Sequence, residues 1–420
     1  MITKKFAFLA SISVLTLGMS LDVAYASKKP LKKVEKKTQA PQEVAQDTGP
    51  SETLRKYGIE TSAKQAIVID VESGVVLFDK NASEKMYPSS MTKIMTTYIL
   101  FEMIKQGKLS LDTRFTVSEK AWKTEGTRMF LPLNDTPSVE DLLRGIIIQS
   151  GNDACVTAAE GTMGTEESFV MLMNEKAAEL GLKDTFFVNS HGLSDEAQLT
   201  TCQDLAKLSI NLIKQFPELY PIHGEKQFTY NKVSQGNRNP LLYKEMGCDG
   251  VKTGHTEAGG YGVVASTTQD GRRLLLVING CKSMQQRATE AQKLLSWARQ
   301  AFQNVKVYEK GQLIKTVPVV KGAQDEVAVT VEKDVLVTMA KQASKNYEAM
   351  LKLTSPLVAP LKKGQEVGTL ELTLPDQSIS KIPVVTAVSV EGASFLKRLM
   401  GSISYLLWGT SSATKELATS

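Results

Sequence analysis

Histidine and cysteine are scarce in this chain of 420 residues, which limits the kinds of active site that it can build. There are three histidines, and no two of them have the spacing of a metal site. There are four cysteines, none in a C-x-x-C pair, and the sequence does not give their connectivity if they form disulfides. Cys155 falls inside a helical pattern, and we expect it to be a buried free thiol. The residues concerned are His191, His223, His255, Cys155, Cys202, Cys248 and Cys281.

Strong charge and long apolar runs are missing as well. The formal net charge is only +5, and no interleaving of basic and aromatic residues indicates nucleic-acid binding. Beyond the N-terminus, no stretch is long and apolar enough to cross a membrane. A G-x-S-x-G motif is also absent, which argues against a Ser-His-Asp hydrolase using His191 or His255.

The N-terminal residues 1–26 have the pattern of a secretory signal peptide. Lys4 and Lys5 precede a short apolar core, and Ala24 and Ala26 form an A-x-A cleavage site. An uncleaved N-terminal anchor is the alternative. Residues 27–52 are rich in lysine and polar residues, with almost nothing to bury, and we interpret them as a disordered linker. The pattern predicts export to a bacterial periplasm.

The rest of the chain divides into three parts by pattern. Residues 53–303 begin and end with hairpin-like strand pairs and are helical between them, which predicts an α/β domain with one mixed sheet and a helical subdomain. Residues 304–390 contain short alternating runs typical of a small all-β domain. Residues 391–412 place apolar side chains on one face of a helix, which favours an amphipathic anchor on a membrane surface. Packing against its own protein is the alternative. The hairpin strands are expected at 66–71, 75–79, 262–268 and 273–278, and the helices at 138–149, 153–163, 166–180, 202–215 and 289–302.

A serine and a lysine three positions apart, Ser90 and Lys93, form the first candidate catalytic pair. The following residues have helical periodicity, so the hydroxyl and the amine would share one face of a helix. A lysine whose pKa is lowered by burial or by a neighbouring cation can take the proton of a serine nucleophile. Alone the pattern is weak, because a serine at the start of a helix is usually a cap.

Two further short motifs make the pair specific. The segment from Ser150 to Asn152 reads Ser-Gly-Asn, and the segment from Lys252 to Gly254 reads Lys-Thr-Gly. The second is not a phosphate loop, because the glycine-rich stretch that precedes such a lysine is missing. The order S-x-x-K, then a Ser-x-Asn about 60 residues on, then K-T-G about 100 residues further, is the trio of penicillin-binding proteins and class A β-lactamases.

With Ser-Gly-Asn as its middle motif, a β domain and an amphipathic tail, the chain resembles the low-molecular-mass penicillin-binding proteins. These are the D-alanyl-D-alanine carboxypeptidases of serine peptidase family S11. The resemblance runs from about Glu52 to the tail and implies a β-lactamase-like catalytic domain. It further implies peptidoglycan stem peptides ending in D-Ala-D-Ala as substrates, β-lactams as inhibitors and no need for a cofactor or metal.

The resemblance also implies roles for individual residues. Ser90 would attack the carbonyl of the penultimate D-alanine, while Lys93, partly buried and close to Lys252, would accept its proton. Ser150 would relay a proton to the leaving amine, and Asn152 would orient Lys93 and the substrate amide.

Residues of the third motif would bind the other end of the substrate. By the same resemblance, Lys252 and Thr253 hold the terminal carboxylate in the segment that Gly254 completes. The backbone N–H of His255 joins that of Ser90 at the oxyanion. Arg287 matches an arginine that assists carboxylate recognition, or is an ordinary surface arginine.

Three other functions share much of this pattern. A β-lactamase would add an E-x-x-L-N loop, which the sequence lacks, and would have no use for the β domain. A DD-endopeptidase of the same family would share the site but typically lacks the C-terminal domain. An inactive wall-binding scaffold is disfavoured because every motif residue is intact.

Overall fold

This computed structural model describes residues 58–342, 346–375 and 378–394. The predicted signal peptide at 1–26 and linker at 27–52 lie outside the described residues. Within those that are described, no helix combines the length and the apolar character that crossing a membrane requires.

A five-stranded sheet is the centre of the catalytic region, with the strand order β2-β1-β7-β6-β5. The first seven strands are β1 (Gln65–Asp70), β2 (Val76–Lys80), β3 (Gln227–Tyr230), β4 (Val233–Gly236), β5 (Cys248–Thr256), β6 (Gly260–Gln269) and β7 (Arg272–Cys281). As predicted, strands from both ends of this region meet in one sheet, where β1 pairs with β7. The predicted fold class is confirmed with one refinement: all four strand pairs of this sheet are antiparallel, so its strand directions are not mixed.

Seven helices are described: α1 (Lys93–Lys105), α2 (Glu119–Lys123), α3 (Val139–Ile147), α4 (Asn152–Met163), α5 (Glu166–Glu179), α6 (Cys202–Gln215) and α7 (Met284–Ala301). They cover the two faces of the sheet unequally. Ile67 and Ile69 of β1 join the core formed with α1 and α3–α6. Ala66 and Val68, which point the other way, join the core formed with α7. Both faces of β1 are therefore buried.

The C-terminal strands form the predicted β domain. Its strands are β8 (Phe302–Tyr308), β9 (Leu313–Val320), β10 (Glu326–Thr330), β11 (Val335–Ala340), β12 (Glu348–Leu353), β13 (Leu357–Val358), β14 (Glu366–Thr373) and β15 (Ile379–Thr386). Six of them form a sheet in the order β12-β14-β15-β10-β9-β13, and β8 pairs with β11. The apolar core of this domain, which includes Val329 and Leu372, is separate from the two cores around the catalytic sheet.

A buried polar network ties the central sheet to β8 and β11. Asp70 is fully buried and accepts hydrogen bonds from Arg272 Nε at 2.7 Å and from Asn304 Nδ2 at 2.9 Å. The hydroxyl of Thr338 on β11 donates to Asn304 Oδ1 at 2.7 Å. Because a buried carboxylate that loses its cation is strongly unfavourable, this network holds β8 firmly against the catalytic sheet.

The C-terminal tail begins differently from the prediction of a helix over 391–412. Residues 391–394 are not helical, because Gly392 pairs with Gly322 and continues the β domain. The remainder of the predicted helix, 395–412, lies outside the described residues. A second difference is that α7 begins at Met284, capped by Ser283, rather than at residue 289.

Candidate active site

The serine and lysine of the first motif lie where a short 3₁₀ turn, Ser89–Thr92, passes into α1. Lys93 is the first residue of the helix, and its Nζ donates to Ser90 Oγ at 3.1 Å. Ser90 is partly exposed, whereas Lys93 is fully buried. The turn therefore presents the hydroxyl to solvent with the amine directly behind it.

Among the described residues, only neutral groups accept hydrogen bonds from Lys93. Besides Ser90 Oγ, they are Asn152 Oδ1 at 2.7 Å and the backbone carbonyl of His191 at 2.5 Å. The pKa of Lys93 is lowered to about 8, chiefly by burial and also by the nearby cation Arg238, against the opposing effects of Cys155 and Asp153. Lys93 is thus more deeply buried than the sequence suggested, and Arg238 joins Lys252 as a nearby cation that disfavours its charged form.

The second motif occupies the connection between α3 and α4. Ser150 adopts a left-handed conformation, with φ of +60°, and its carbonyl accepts from Thr127 Oγ1 at 2.5 Å. Asn152 donates its Nδ2 to the carbonyl of Glu125 at 2.7 Å while its Oδ1 accepts from Lys93. Both ends of the amide are occupied, so the orientation of Asn152 towards Lys93 is fixed.

The third motif lies on β5, the edge strand of the sheet beside the Ser89–Thr92 turn. Lys252 is buried, and its Nζ donates to Ser150 Oγ at 3.0 Å and to the carbonyl of Thr253 at 2.9 Å. Burial, Lys93 and Arg238 hold the pKa of Lys252 well below its usual value. A Cβ at Gly254 would lie 2.9 Å from the carbonyl oxygen of Pro88, so only glycine lets β5 pack this closely.

The structure therefore brings the three motifs together, as two serine–lysine contacts side by side. Ser90 contacts Lys93, and Ser150 contacts Lys252. His255 follows the third motif on β5, where its exposed ring stacks on Tyr261 with the centroids 3.8 Å apart. The arrangement offers a nucleophile, a base of lowered pKa and a second hydroxyl held by a buried lysine. Such a set is suited to acyl transfer.

Comparison with known proteins gives the family. Residues 50–283 match the peptidase S11 model, D-alanyl-D-alanine carboxypeptidase, and residues 302–392 match the C-terminal domain of penicillin-binding protein 5. The chain is 42% identical over 345 residues to the D-alanyl-D-alanine carboxypeptidase DacC of Escherichia coli, covering 80% of this chain and 86% of that protein. It superposes on penicillin-binding protein 5 of Haemophilus influenzae with a TM-score of 0.76 and 36% identity, covering 80% of this chain and 99% of that one.

The chain belongs to the D-alanyl-D-alanine carboxypeptidase family, peptidase S11. A more distant member, DacF of Bacillus subtilis, is 34% identical over 366 residues, covering 84% of this chain and 94% of that protein. Because the matches extend over most of each chain, the similarity includes both the catalytic region and the β domain.

Arg287 is not a surface arginine in this D-alanyl-D-alanine carboxypeptidase family member. It is only 5% exposed, donates from Nη2 to the carbonyl of Arg238 at 3.4 Å, and lies 5.9 Å from the ring centroid of Tyr261. Burial lowers the pKa of both arginines. The two guanidinium groups lie near Lys252 and supply positive charge at one end of the site, which suits a carboxylate.

Sequence reasoning missed two groups of the site. Arg238 lies between two asparagines in no motif, and nothing in the sequence links it to Lys93. The backbone carbonyl of His191 was also missed, because every residue has such a carbonyl and the sequence does not mark which one contacts Lys93. The sequence signal in this segment is the glycine at position 192. Its φ is +91°, and a Cβ there would lie 1.9 Å from the carbonyl oxygen of Ser89. That glycine lets the segment pack against the turn that holds Ser90.

All four cysteines are free thiols, and Cys155 is fully buried beside Lys93, in agreement with its expected state. Burial raises the pKa of Cys155 to about 12, against the influence of Lys93. Its sulfur is therefore held as the uncharged thiol.

Proposed function

We propose that this protein is a serine D-Ala-D-Ala carboxypeptidase that removes the terminal D-alanine from peptidoglycan stem peptides through an acyl-enzyme on Ser90. The observation that carries the proposal is the contact between Ser90 Oγ and the buried Lys93 Nζ at 3.1 Å. A lysine whose pKa is lowered to about 8 supplies the neutral amine that the reaction needs.

In the first step, neutral Lys93 takes the proton of Ser90 as its oxygen attacks the carbonyl carbon of the penultimate D-alanine. The negative charge that develops on the carbonyl oxygen is held by the backbone N–H groups of Ser90 and His255. The close packing of Gly254 against Pro88 supports this pairing, because it places the two backbone segments side by side. Losing one such donor typically costs about 10²–10³-fold in rate.

In the second step, the peptide bond breaks and terminal D-alanine leaves. The proton that Lys93 took from Ser90 reaches the departing amine through Ser150, which gives up its own proton as it takes up this one, so that Lys93 is neutral again. The hydrogen bond from Lys252 to Ser150 supports this relay. Lys252 and Thr253, with Arg287, hold the carboxylate of the leaving D-alanine. Water then attacks the ester on Ser90, releases the shortened peptide and restores the hydroxyl.

The same nucleophile would open a β-lactam ring. A penicillin presents a strained amide and a carboxylate, so its carboxylate would lie against Lys252 and Thr253 while Ser90 forms the ester. Relatives of this fold have been solved with ampicillin and cefotaxime bound, as in penicillin-binding protein D2 of Listeria monocytogenes. That likeness supports the proposal that Ser90 is the site of penicillin labelling in this chain.

We further propose that the protein acts at the periplasmic face of the bacterial inner membrane. The signal peptide pattern of residues 1–26 and the amphipathic pattern that continues to residue 412 support this location. Cell fractionation of the full-length protein and of a variant ending at Ser394 tests it. The full-length protein should sediment with membranes and the shortened one should not; equal sedimentation of both would contradict the anchor.

The decisive assay for the activity uses a peptide ending in Lys-D-Ala-D-Ala, with release of D-alanine as the measurement. Purified protein should release D-alanine, and Ser90→Ala should lower the rate by about 10³-fold or more. Penicillin labelling of Ser90 without release would point to a DD-endopeptidase. Rapid turnover of penicillin would point to a β-lactamase. If the protein neither released D-alanine nor was labelled by penicillin, an inactive scaffold would be the better interpretation.

A further inference from the structure

The segment that supplies the His191 carbonyl to Lys93 is held from behind by a carboxylate outside the three motifs. Glu166 is the first residue of α5 and is only 7% exposed. Its Oε1 accepts from the backbone N of Ser190 at 3.1 Å and from Ser190 Oγ at 2.7 Å. Its Oε2 lies 3.1 Å from Lys120 Nζ, which holds the carboxylate from the other side.

The opposite side of the same segment contacts α1. The carbonyl of Ser190 accepts from Thr96 Oγ1 at 2.6 Å, and the carbonyl of His191 accepts from Lys93 Nζ at 2.5 Å. Lys93 and Thr96 are three residues apart and share one face of α1. Two consecutive carbonyls therefore lie against one turn of α1. Glu166 accepts hydrogen bonds from Ser190, the residue that carries the first carbonyl.

We propose that Glu166 is a positioning residue for Lys93: by holding both polar groups of Ser190, it fixes the His191 carbonyl against Lys93 Nζ. The proposal rests on the function proposed above, in which Lys93 takes the proton of Ser90. The carbonyl at 2.5 Å and Asn152 Oδ1 at 2.7 Å together aim the amine at Ser90 Oγ. A shift of the segment would turn Lys93 away from the nucleophile without removing any group of the three motifs.

Two further side chains, His191 and Lys120, contact the Glu166 carboxylate. The His191 ring lies 3.5 Å from Glu166 Oε1, and burial lowers the pKa of that ring below its usual value. Lys120 is half exposed and also pairs with the neighbouring Glu167 at 2.8 Å. Glu167 is a matched control, because it contacts the same lysine but is itself 76% exposed.

The test measures the rate constant for acylation by a fluorescent penicillin in four full-length variants. Each rate is expressed per active site, with the number of active sites taken from labelling at saturation. Glu166→Ala should slow acylation by about 10- to 100-fold, because the reacting groups lose their alignment. Glu166→Gln should stay within about threefold of wild type, since an amide oxygen can still accept from Ser190. Ser190→Ala, which keeps the backbone donor only, should slow acylation by about threefold or more. Glu167→Ala should match wild type.

Two results would overturn the role of Glu166. If Glu166→Ala were acylated at the wild-type rate per active site, Glu166 would have a structural role only. Equal slowing in Glu166→Gln and Glu166→Ala would show that the charge, and not the position, matters. If Glu166→Ala fails to fold, Ser190→Ala decides, and a wild-type rate there would refute the proposal. Failure of the proposed function is separate, because wild-type protein would then show no labelling of Ser90 at all.

Discussion

Two buried lysines in this molecule differ in pKa because of what surrounds them. Lys176 is 9% exposed, and although burial lowers its pKa, hydrogen bonds from its ammonium to Glu179 and Glu102 raise it above the usual value. Lys93 is fully buried, has only neutral acceptors, and has its pKa lowered to about 8. Within the described part of the chain, no carboxylate accepts a hydrogen bond from Lys93, which favours the neutral amine that its proposed role as a base requires.

The pH dependence of acylation follows from this lowered pKa. Lys93 accepts a proton only when neutral, so the rate of penicillin acylation should rise with pH through a midpoint of about 8. Replacing Arg238 with glutamine removes a cation that favours the neutral form, so the midpoint should move to higher pH. Stopped-flow acylation between about pH 6 and pH 10 measures both midpoints, because that range brackets the lowered pKa of about 8.

Arg114 provides the control for that experiment, because it is exposed and donates to the carbonyl of Thr136, on a different part of the surface. Arg114→Gln should leave the midpoint unchanged. An unchanged midpoint in the Arg238 variant would contradict the assigned effect of that cation on Lys93.

At the residue scale, the side chains of the candidate site could be predicted from the sequence, but the groups that surround them in the fold could not. Ser90, Lys93, Ser150 and Lys252 were predicted because their spacing within three motifs is specific. Arg238 was not, because its effect on Lys93 arises only when residues 145 positions apart in the chain meet in the fold.

At the scale of elements, the site depends on two glycines that let backbone segments touch the Ser89–Thr92 turn. Gly254 brings β5 to one side of it, and Gly192 brings the His191 segment to the other. A side chain at either position would push apart elements that carry groups of the candidate active site.

Gly192→Ala tests this packing against a matched control. Gly164 also has positive φ, +80° against +91°, but a Cβ there would meet nothing within 4 Å. Gly164→Ala should lower the free energy of unfolding by about 1–2 kcal/mol from backbone strain alone, with unchanged acylation. Gly192→Ala should lower the free energy of unfolding by more than this and should also slow acylation, because its Cβ would overlap the Ser89 carbonyl. Urea unfolding and penicillin labelling measure the two effects, and similar behaviour of both variants would contradict the argument.

The elements themselves were predictable to different degrees. The helices over 138–149, 153–163, 166–180 and 202–215 are confirmed, because amphipathic periodicity is local in the chain. β5 was not predicted as a strand, because the polar residues that it carries to the site interrupt its apolar pattern. The sequence predicted that strands from both ends share one sheet but not their order, since the partner of β1 lies about 200 positions away in the chain.

At the scale of the whole molecule, the core of the β domain is separate from the cores that surround the catalytic sheet. Stability and catalysis should therefore respond differently to changes in the β domain. Leu372 on β14 is fully buried in that domain and lies far along the chain from every motif.

Leu372→Ala should lower the free energy of unfolding by about 2–5 kcal/mol, the usual cost of a large-to-small change in a core. The acylation rate per active site should stay at the wild-type value. Leu313→Ala, a change at a residue 59% exposed in the same domain, should alter stability by about 0.5 kcal/mol or less. A slower reaction in the Leu372 variant would mean that the β domain shapes the active site.

The buried thiols have a consequence for how the molecule is made. Proteins folded in an oxidising compartment often depend on disulfides, and on the enzymes that form and correct them. Here all four cysteines are free, and burial raises the pKa of Cys155 to about 12 and that of Cys281 to about 11, which suppresses the reactive thiolate. Folding to this structure therefore requires no disulfide to form, and once the chain has folded, burial protects these thiols from oxidation.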